Sequence, residues 1–425
     1  MRLLRWTTAV ACVALATCSG SDEGAKPNTP SDAGVDADAD GGLCSAPGSV
    51  SKGPWVVGVT ETSAILRWEA CREGSAPGVT LTTEGGGTPK EYAASVRPFV
   101  VNNTYSSLNV NAPPDLAGTY YMHELALDSL APATCYRYQL AEGAANSGRF
   151  CTARAPGDSF KVLAIGDTNP ALGGTAGLLA EAAKHNYDFT IHGGDIQYYL
   201  SILETWASWF PIMMPMFAQG AIFPALGNHE FEKPDEYEQY FLRFFGKAGF
   251  DGTDDYYRVQ SGGVWFFALN SEGDMDPGTE QFVWFEKQLA DAAAKPGYRG
   301  SVVYFHRPLV SCGPVSQPDT RRAAYQPLFE KHGVTLVAQA HVHGYERFEL
   351  PHSADATKSV TYITVGGGGA ALHDLDENID RPTCAMRAAK GRFYNFTILE
   401  FGPTSLKGRM FDVNGVERDT FENPL

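Results

Sequence analysis

The chain has 425 residues, 44% of them hydrophobic, which is enough for two domains and a sizeable core. Its formal net charge of -16 excludes a nucleic-acid binder, which would need a basic face. Part of that acidity sits in the stretch from Asp22 to Asp40, so the folded part is less acidic than the total suggests.

The N-terminus reads as a targeting segment. Arg2 and Arg5 precede an apolar run from Thr8 to Ala16 that is too short to span a bilayer. Leu15-Ala16-Thr17-Cys18 resembles a bacterial lipoprotein box, with Thr17 where Gly or Ala is usual; the alternative is a plain leader cleaved near Ala16. Either places the mature chain outside the cytoplasm: in a bacterial periplasm, on an outer membrane through a lipidated Cys18, or secreted. Residues 1–18 are thus expected to be a signal peptide. Residues 19–50, rich in Ser, Gly, Ala, Pro and Asp, are expected to be a disordered acidic linker, since they cannot bury enough surface to offset chain entropy.

Beyond Cys12 and Cys18 six cysteines remain, an even number, as an oxidising compartment favours. The expected pairs are Cys135–Cys151, Cys44–Cys71 and Cys312–Cys384. None has C-x-x-C spacing, which argues against a thiolate metal site.

From 51 to 156 the pattern is short and alternating. Ser63 to Trp68 and Cys135 to Leu140 alternate apolar and polar residues as half-buried strands do, with turns at Gly85-Gly86-Gly87 and Ala112-Pro113-Pro114. An antiparallel sandwich with Trp68 in its core is expected. With Pro132-Ala133-Thr134-Cys135-Tyr136 before a late strand, it resembles a fibronectin type III-like domain.

From 157 to 425 strand-like runs alternate with helical ones, at Leu178 to His185, Leu203 to Phe217, Glu280 to Ala294 and Arg321 to His332. That alternation predicts an α/β fold with a mostly parallel sheet, and later runs add antiparallel strands. Five motifs lie on this framework: Gly166-Asp167-Thr168-Asn169, Gly194-Asp195-Ile196-Gln197-Tyr198, Gly227-Asn228-His229-Glu230, Val303-Tyr304-Phe305-His306, and Ala340-His341-Val342-His343-Gly344-Tyr345-Glu346-Arg347. Most follow a short apolar run, and a parallel sheet delivers the carboxyl ends of its strands to one edge. Asp167, Asp195, Tyr198, Asn228, His306, His341 and His343 are therefore expected in one crevice. Carboxylates suit hard cations and imidazoles suit borderline ones. Seven donors exceed the needs of one tetrahedral ion. They suit two ions sharing a bridging carboxylate, an arrangement that clamps both oxygens of a displacement at phosphorus.

In this order and at these spacings the motifs resemble the purple acid phosphatases, a branch of the calcineurin-like metallophosphoesterases, from about Gly53 to Phe411. Tyr198 decides the branch. Most metallophosphoesterases carry a histidine two residues after the first aspartate, where this chain has Asn169. The purple acid phosphatases instead use a tyrosine three residues after the second. The resemblance implies a two-sheet α/β sandwich flanked by helices and preceded by the all-β sandwich. It implies Fe(III) held by Asp167, Asp195, Tyr198 and His343. It implies a second ion, Zn(II), Fe(II) or Mn(II), held by Asp195, Asn228, His306 and His341, with Asp195 bridging. The implied reaction is hydrolysis of phosphate monoesters of small molecules by metal-bound hydroxide, with His229 stabilising the phosphoryl group or protonating the leaving alcohol. Asn228 and Asn169 are further candidates for substrate contact. Plant-type members place histidines soon after the fourth motif; here Arg307 stands there and is the candidate for that contact.

Gly366-Gly367-Gly368-Gly369 lacks a following Lys-Ser or Lys-Thr, so it is no P-loop and is read as close backbone approach near the site. Glu230 is read as a supporting or helix-start residue. His185, His192, His332, His352 and His373 are read as ordinary histidines. Two rival functions are carried. One is a phosphodiesterase, or a broad nucleotide or phospholipid phosphohydrolase, on the same site. The other is a non-catalytic surface binding protein, against which the full donor set argues.

Overall fold

A computed structural model of the chain describes residues 50–70, 78–101, 118–141, 146–198, 202–231, 237–314 and 319–425. The expected signal peptide, the linker up to residue 49 and the Cys44–Cys71 pair lie outside the described residues.

The alternating N-terminal runs form two four-stranded antiparallel sheets. One orders Val50–Val57, Ala64–Ala70, Gly118–Leu127 and Ser95–Val101; the other orders Lys90–Ala93, Gly78–Thr83, Cys135–Leu140 and Ser147–Cys151. In chain order the first, second, sixth and fifth strands share one sheet, and the fourth, third, seventh and eighth share the other, as in a two-sheet antiparallel sandwich. Trp68 is buried and stacks on buried His123, with ring centroids 4.8 Å apart. Cys135 and Cys151 are bonded across directly opposed positions of the last two strands.

The second part is two mixed sheets packed face to face. The first orders Ala221–Pro224, Phe189–His192, Phe160–Ile165, Asn395–Phe401, Ser405–Asp412 and Glu417–Pro424. Its first three strands are parallel and the rest antiparallel. The second sheet has a parallel centre of Val264–Ala268, Gly300–Phe305, Val334–Gln339 and Ser359–Thr364. Successive side chains point to opposite faces, and the clusters divide accordingly. Val162 and Ala164 meet Phe266, Val302 and Ala338 between the sheets. Leu163 and Ile165 face the helices Gly174–Ala182 and Ile202–Phe217 on one outer side. Val303 and Phe305 face the helices Glu280–Ala293 and Asp319–His332 on the other. Pro211 and Pro215 lie inside Ile202–Phe217. Each removes a ladder hydrogen bond; the helix is retained by burying Trp206, Trp209, Phe210, Met213 and Phe217.

The N-terminal sandwich shares this core. Trp55 packs on Phe210 at 4.8 Å and donates from its indole N–H to the Phe244 carbonyl at 3.1 Å; Arg67 donates to the same oxygen at 2.9 Å. Beside them Glu69 is fully buried between Lys52, 2.5 Å away, and Arg243. Burial alone would raise the Glu69 pKa, but Arg243 and Lys52 outweigh it and hold it below the ordinary 4.5. A carboxyl whose folded pKa is depressed stabilises fully above its unfolded value and loses that contribution as pH falls through the folded one. Thermal unfolding followed over pH 7 to 3 is therefore expected to show stability falling below pH 4.5, with Glu69→Gln losing about 3 kcal/mol at neutral pH and showing a flatter acid limb.

Candidate metal centre

Parallel strands end at one edge, and each brings a donor there. Asp167 follows Phe160–Ile165, Asp195 follows Phe189–His192, and Asn228 follows Ala221–Pro224. His306 follows Gly300–Phe305 and His341 follows Val334–Gln339. Asp167, Asp195 and His341 have φ of 56°, 50° and 67°. Left-handed backbone costs a non-glycine residue roughly 1 kcal/mol or more and gathers at functional sites. The close turns need small neighbours: a Cβ on Gly366 would stand 2.8 Å from Asp167 Oδ2, and one on Gly227 would stand 2.2 Å from Asp195 Oδ1.

The expected donors lie together. Tyr198 Oη is 2.8 Å from Asp167 Oδ1, 3.0 Å from Asp195 Oδ2 and 2.8 Å from His343 Nε2. His306 Nε2 is 3.1 Å from Asp195 Oδ2, 3.2 Å from Asn228 Oδ1 and 3.1 Å from His341 Nδ1. Asp195 Oδ2 is thus common to both groups, and its Oδ1 accepts from the His229 N–H at 2.9 Å. His229 Nε2 stands 3.6 Å from Asp195 Oδ2, with its ring 4.2 Å from that of Tyr198. The His341 N–H donates to Asp167 Oδ2 at 3.0 Å.

Hydrogen positions test whether the group suits cations. His306 Nδ1 donates to the Gly193 carbonyl at 3.0 Å, and His343 Nδ1 to the Ala371 carbonyl at 2.7 Å. In the neutral rings both Nε2 lone pairs then face the carboxylates, as outer carbonyls impose on metal-binding histidines. The single phenolic hydrogen of Tyr198 has three acceptors around it. Lone pairs so arranged repel unless positive charge lies among them, so the donor set fits two metal ions. The electrostatics of the donors make the same demand for positive charge. Burial disfavours charge on His306, yet Asp195 and Asp167 hold its pKa up at about 10. Burial and the His306 charge then push His341 down to about 3. Burial and the two carboxylates push the Tyr198 phenol well up.

Residues 160–345 match the family model of the calcineurin-like phosphoesterases. The chain carries a calcineurin-like phosphoesterase domain. This is a domain of phosphoric ester hydrolases. The chain is 26% identical over 301 residues to a probable purple acid phosphatase 20 of Arabidopsis thaliana, covering 65% of this chain and 69% of the relative. It is 24% identical over 278 residues to a nucleotide pyrophosphatase/phosphodiesterase of Hordeum vulgare, covering 55% and 73%. Two further purple acid phosphatases of Arabidopsis thaliana are matched over only 58% and 35% of their length. The purple acid phosphatase PPD1 of yellow lupin (Lupinus luteus) superposes with a TM-score of 0.69 at 20% identity, over 87% of this chain and 73% of that one, and so shares the fold.

Around the phosphoesterase centre lie residues whose roles the motifs did not convey. Glu230 is fully buried and accepts from the backbone N–H groups of Asp195 at 3.0 Å, Ile196 at 2.8 Å and Gly227 at 2.7 Å. Burial and the Asp195 charge push its pKa up to about 8. His373, read as ordinary, stacks on His343 at 3.9 Å and accepts the His343 N–H at its Nδ1. His192, also read as ordinary, is buried under the site against Thr168 Oγ1 at 3.1 Å. Arg307 Nε donates to both carboxylate oxygens of Glu272, at 2.8 and 2.9 Å. Sequence reading passed over Glu272, although Asn270-Ser271-Glu272 ends an apolar run from Val264 to Leu269 just as the motifs end theirs. Asn169 begins the turn after Asp167, its backbone N–H bonded to Thr175 Oγ1 at 3.0 Å. The Cys312–Cys384 disulfide fastens the loop beyond His306, as paired cysteines of an oxidising compartment do. No helix among the described residues is long and apolar enough to cross a membrane.

Proposed function

We propose that the chain is an exported dinuclear metallophosphatase acting on phosphate monoesters. The observation that carries this reading is that His306 Nε2 and Tyr198 Oη converge on Asp195 Oδ2 while His343 Nε2 meets Asp167 Oδ1 beside them. Fe(III) would be held by Asp167, Asp195, Tyr198 and His343; Zn(II), Fe(II) or Mn(II) would be held by Asp195, Asn228, His306 and His341. Two ions so bound supply an activated water and polarise the phosphoryl group. The protein contributes position and protons. Asp195 would be held in common by the two ions, and its own place is fixed by the His229 N–H and the Glu230 carboxyl. His229 Nε2, 3.6 Å from Asp195 Oδ2, hands a proton to the leaving alcohol. The arginine-initiated leader and the paired cysteines support export, with Cys18 as the anchor if it is lipidated.

Phosphodiester hydrolysis on the same site is a second reading, favoured by the barley relative named for that activity. A panel of aryl monoesters and diesters separates the two by their kcat/KM. The metal assignment is tested by elemental analysis with a visible spectrum. Purified protein is expected to carry two ions and absorb visible light, and Tyr198→Phe is expected to lose that band. A colourless, iron-free wild type with full activity would remove Tyr198 from the ligand set.

A further inference from the structure

The surroundings of Arg307 are built rather than incidental. Its backbone N–H donates to Ser271 Oγ at 2.8 Å, and its Nε is saturated by Glu272. Glu272 is itself held. Asn270 Oδ1 accepts the Glu272 N–H at 3.0 Å, Gln281 Oε1 accepts the Asn270 N–H at 2.7 Å, and Arg321 donates to the Ser271 carbonyl at 3.0 Å. Two helices therefore fix the carboxylate that fixes the guanidinium. With Nε engaged by Glu272, the two Nη groups are left for other partners. Nη1 lies 3.4 Å from His341 Nε2, the outer nitrogen of a ring whose Nδ1 faces the centre. Among the described residues Nη2 has no acceptor, and the side chain is 21% exposed.

We infer that Arg307, oriented by Glu272, binds a terminal oxygen of the substrate phosphate and selects monoesters over diesters. The inference rests on the phosphatase reading and deepens it. A monoester has three non-bridging oxygens and a diester two. If two ions engage two of them, a third remains for the Nη edge only in a monoester. A guanidinium fork suits that oxygen better than an ammonium would. Arg307 is then a substrate-binding residue and Glu272 a positioning residue.

The test uses the metal-loaded full chain as wild type, Arg307→Gln, Arg307→Lys and Glu272→Gln. Inorganic phosphate binding is measured by calorimetry, and aryl monoester and diester kinetics are measured alongside metal content. Arg307→Gln is expected to weaken phosphate binding and raise the monoester KM on the order of 10- to 100-fold. The diester KM should move by less than about threefold, with two ions retained. Arg307→Lys should recover only part of the loss, and Glu272→Gln should fall between wild type and Arg307→Gln. Unchanged phosphate affinity in Arg307→Gln, equal losses for the two esters, or loss of metal in that variant overturns the proposal. A wild type that holds no metal pair or binds no phosphate overturns the phosphatase reading itself, and this proposal with it.

Discussion

Asp195→Asn is expected to abolish hydrolysis while leaving the chain folded. The replacement keeps shape, and its carbonyl oxygen still accepts the His229 N–H that now reaches Oδ1 at 2.9 Å. What it removes is the one charge common to both donor groups. Asp195 Oδ2 lies 3.0 Å from Tyr198 Oη and 3.1 Å from His306 Nε2, so each proposed ion loses a ligand at once. A fall in kcat of about a thousandfold or more is expected, because a metal pair supplies several kcal/mol to the transition state. Elemental analysis should find fewer than two ions per chain. Stability measured without metal should fall, since the buried His306 loses the nearer of the two carboxylates that hold its charge. Full activity in this variant would remove the dinuclear account.

Glu230→Ala is expected to give the largest loss of stability among single changes near the site. The carboxyl satisfies three buried backbone N–H groups, those of Asp195, Ile196 and Gly227. Each donor left without a partner costs about 1–3 kcal/mol, so a loss of roughly 3–9 kcal/mol follows. Glu230→Gln keeps one acceptor oxygen and should lie between. Denaturant unfolding measures both. A loss below about 1 kcal/mol for Glu230→Ala would show that water replaces the carboxyl freely. The effect on metal binding should be proportionate, because the same three N–H groups belong to the turns that carry Asp195 and Asn228.

The meeting of Asp167, Asp195, Asn228, His306 and His341 was legible in sequence because each follows a buried run that a parallel sheet must end at one edge. The supporting residues were less legible, for reasons of distance. His373 is thirty positions from His343, and only the return of the chain from Ser359–Thr364 puts the rings face to face. Glu272 stands in a polar loop that resembles many others until Arg307 is seen beside it. The left-handed backbone at Asp167, Asp195 and His341 was invisible, since nothing in a non-glycine residue announces it. Alternation marked the strands at Ser63 to Trp68 and Cys135 to Leu140. It gave no sign of Val50–Val57, which buries both faces, one against its own sandwich and one against Phe210 and Phe244.

That doubly buried strand has a consequence for how the molecule evolves and is handled. A module joined through Trp55, Arg67 and Glu69 cannot be swapped, truncated or respaced like a bead on a string, because cutting it away would strip the aromatic flank of the neighbouring helix. Heat or denaturant should melt the sandwich and the two packed sheets as one cooperative body, and newly made copies must complete both halves before either is useful.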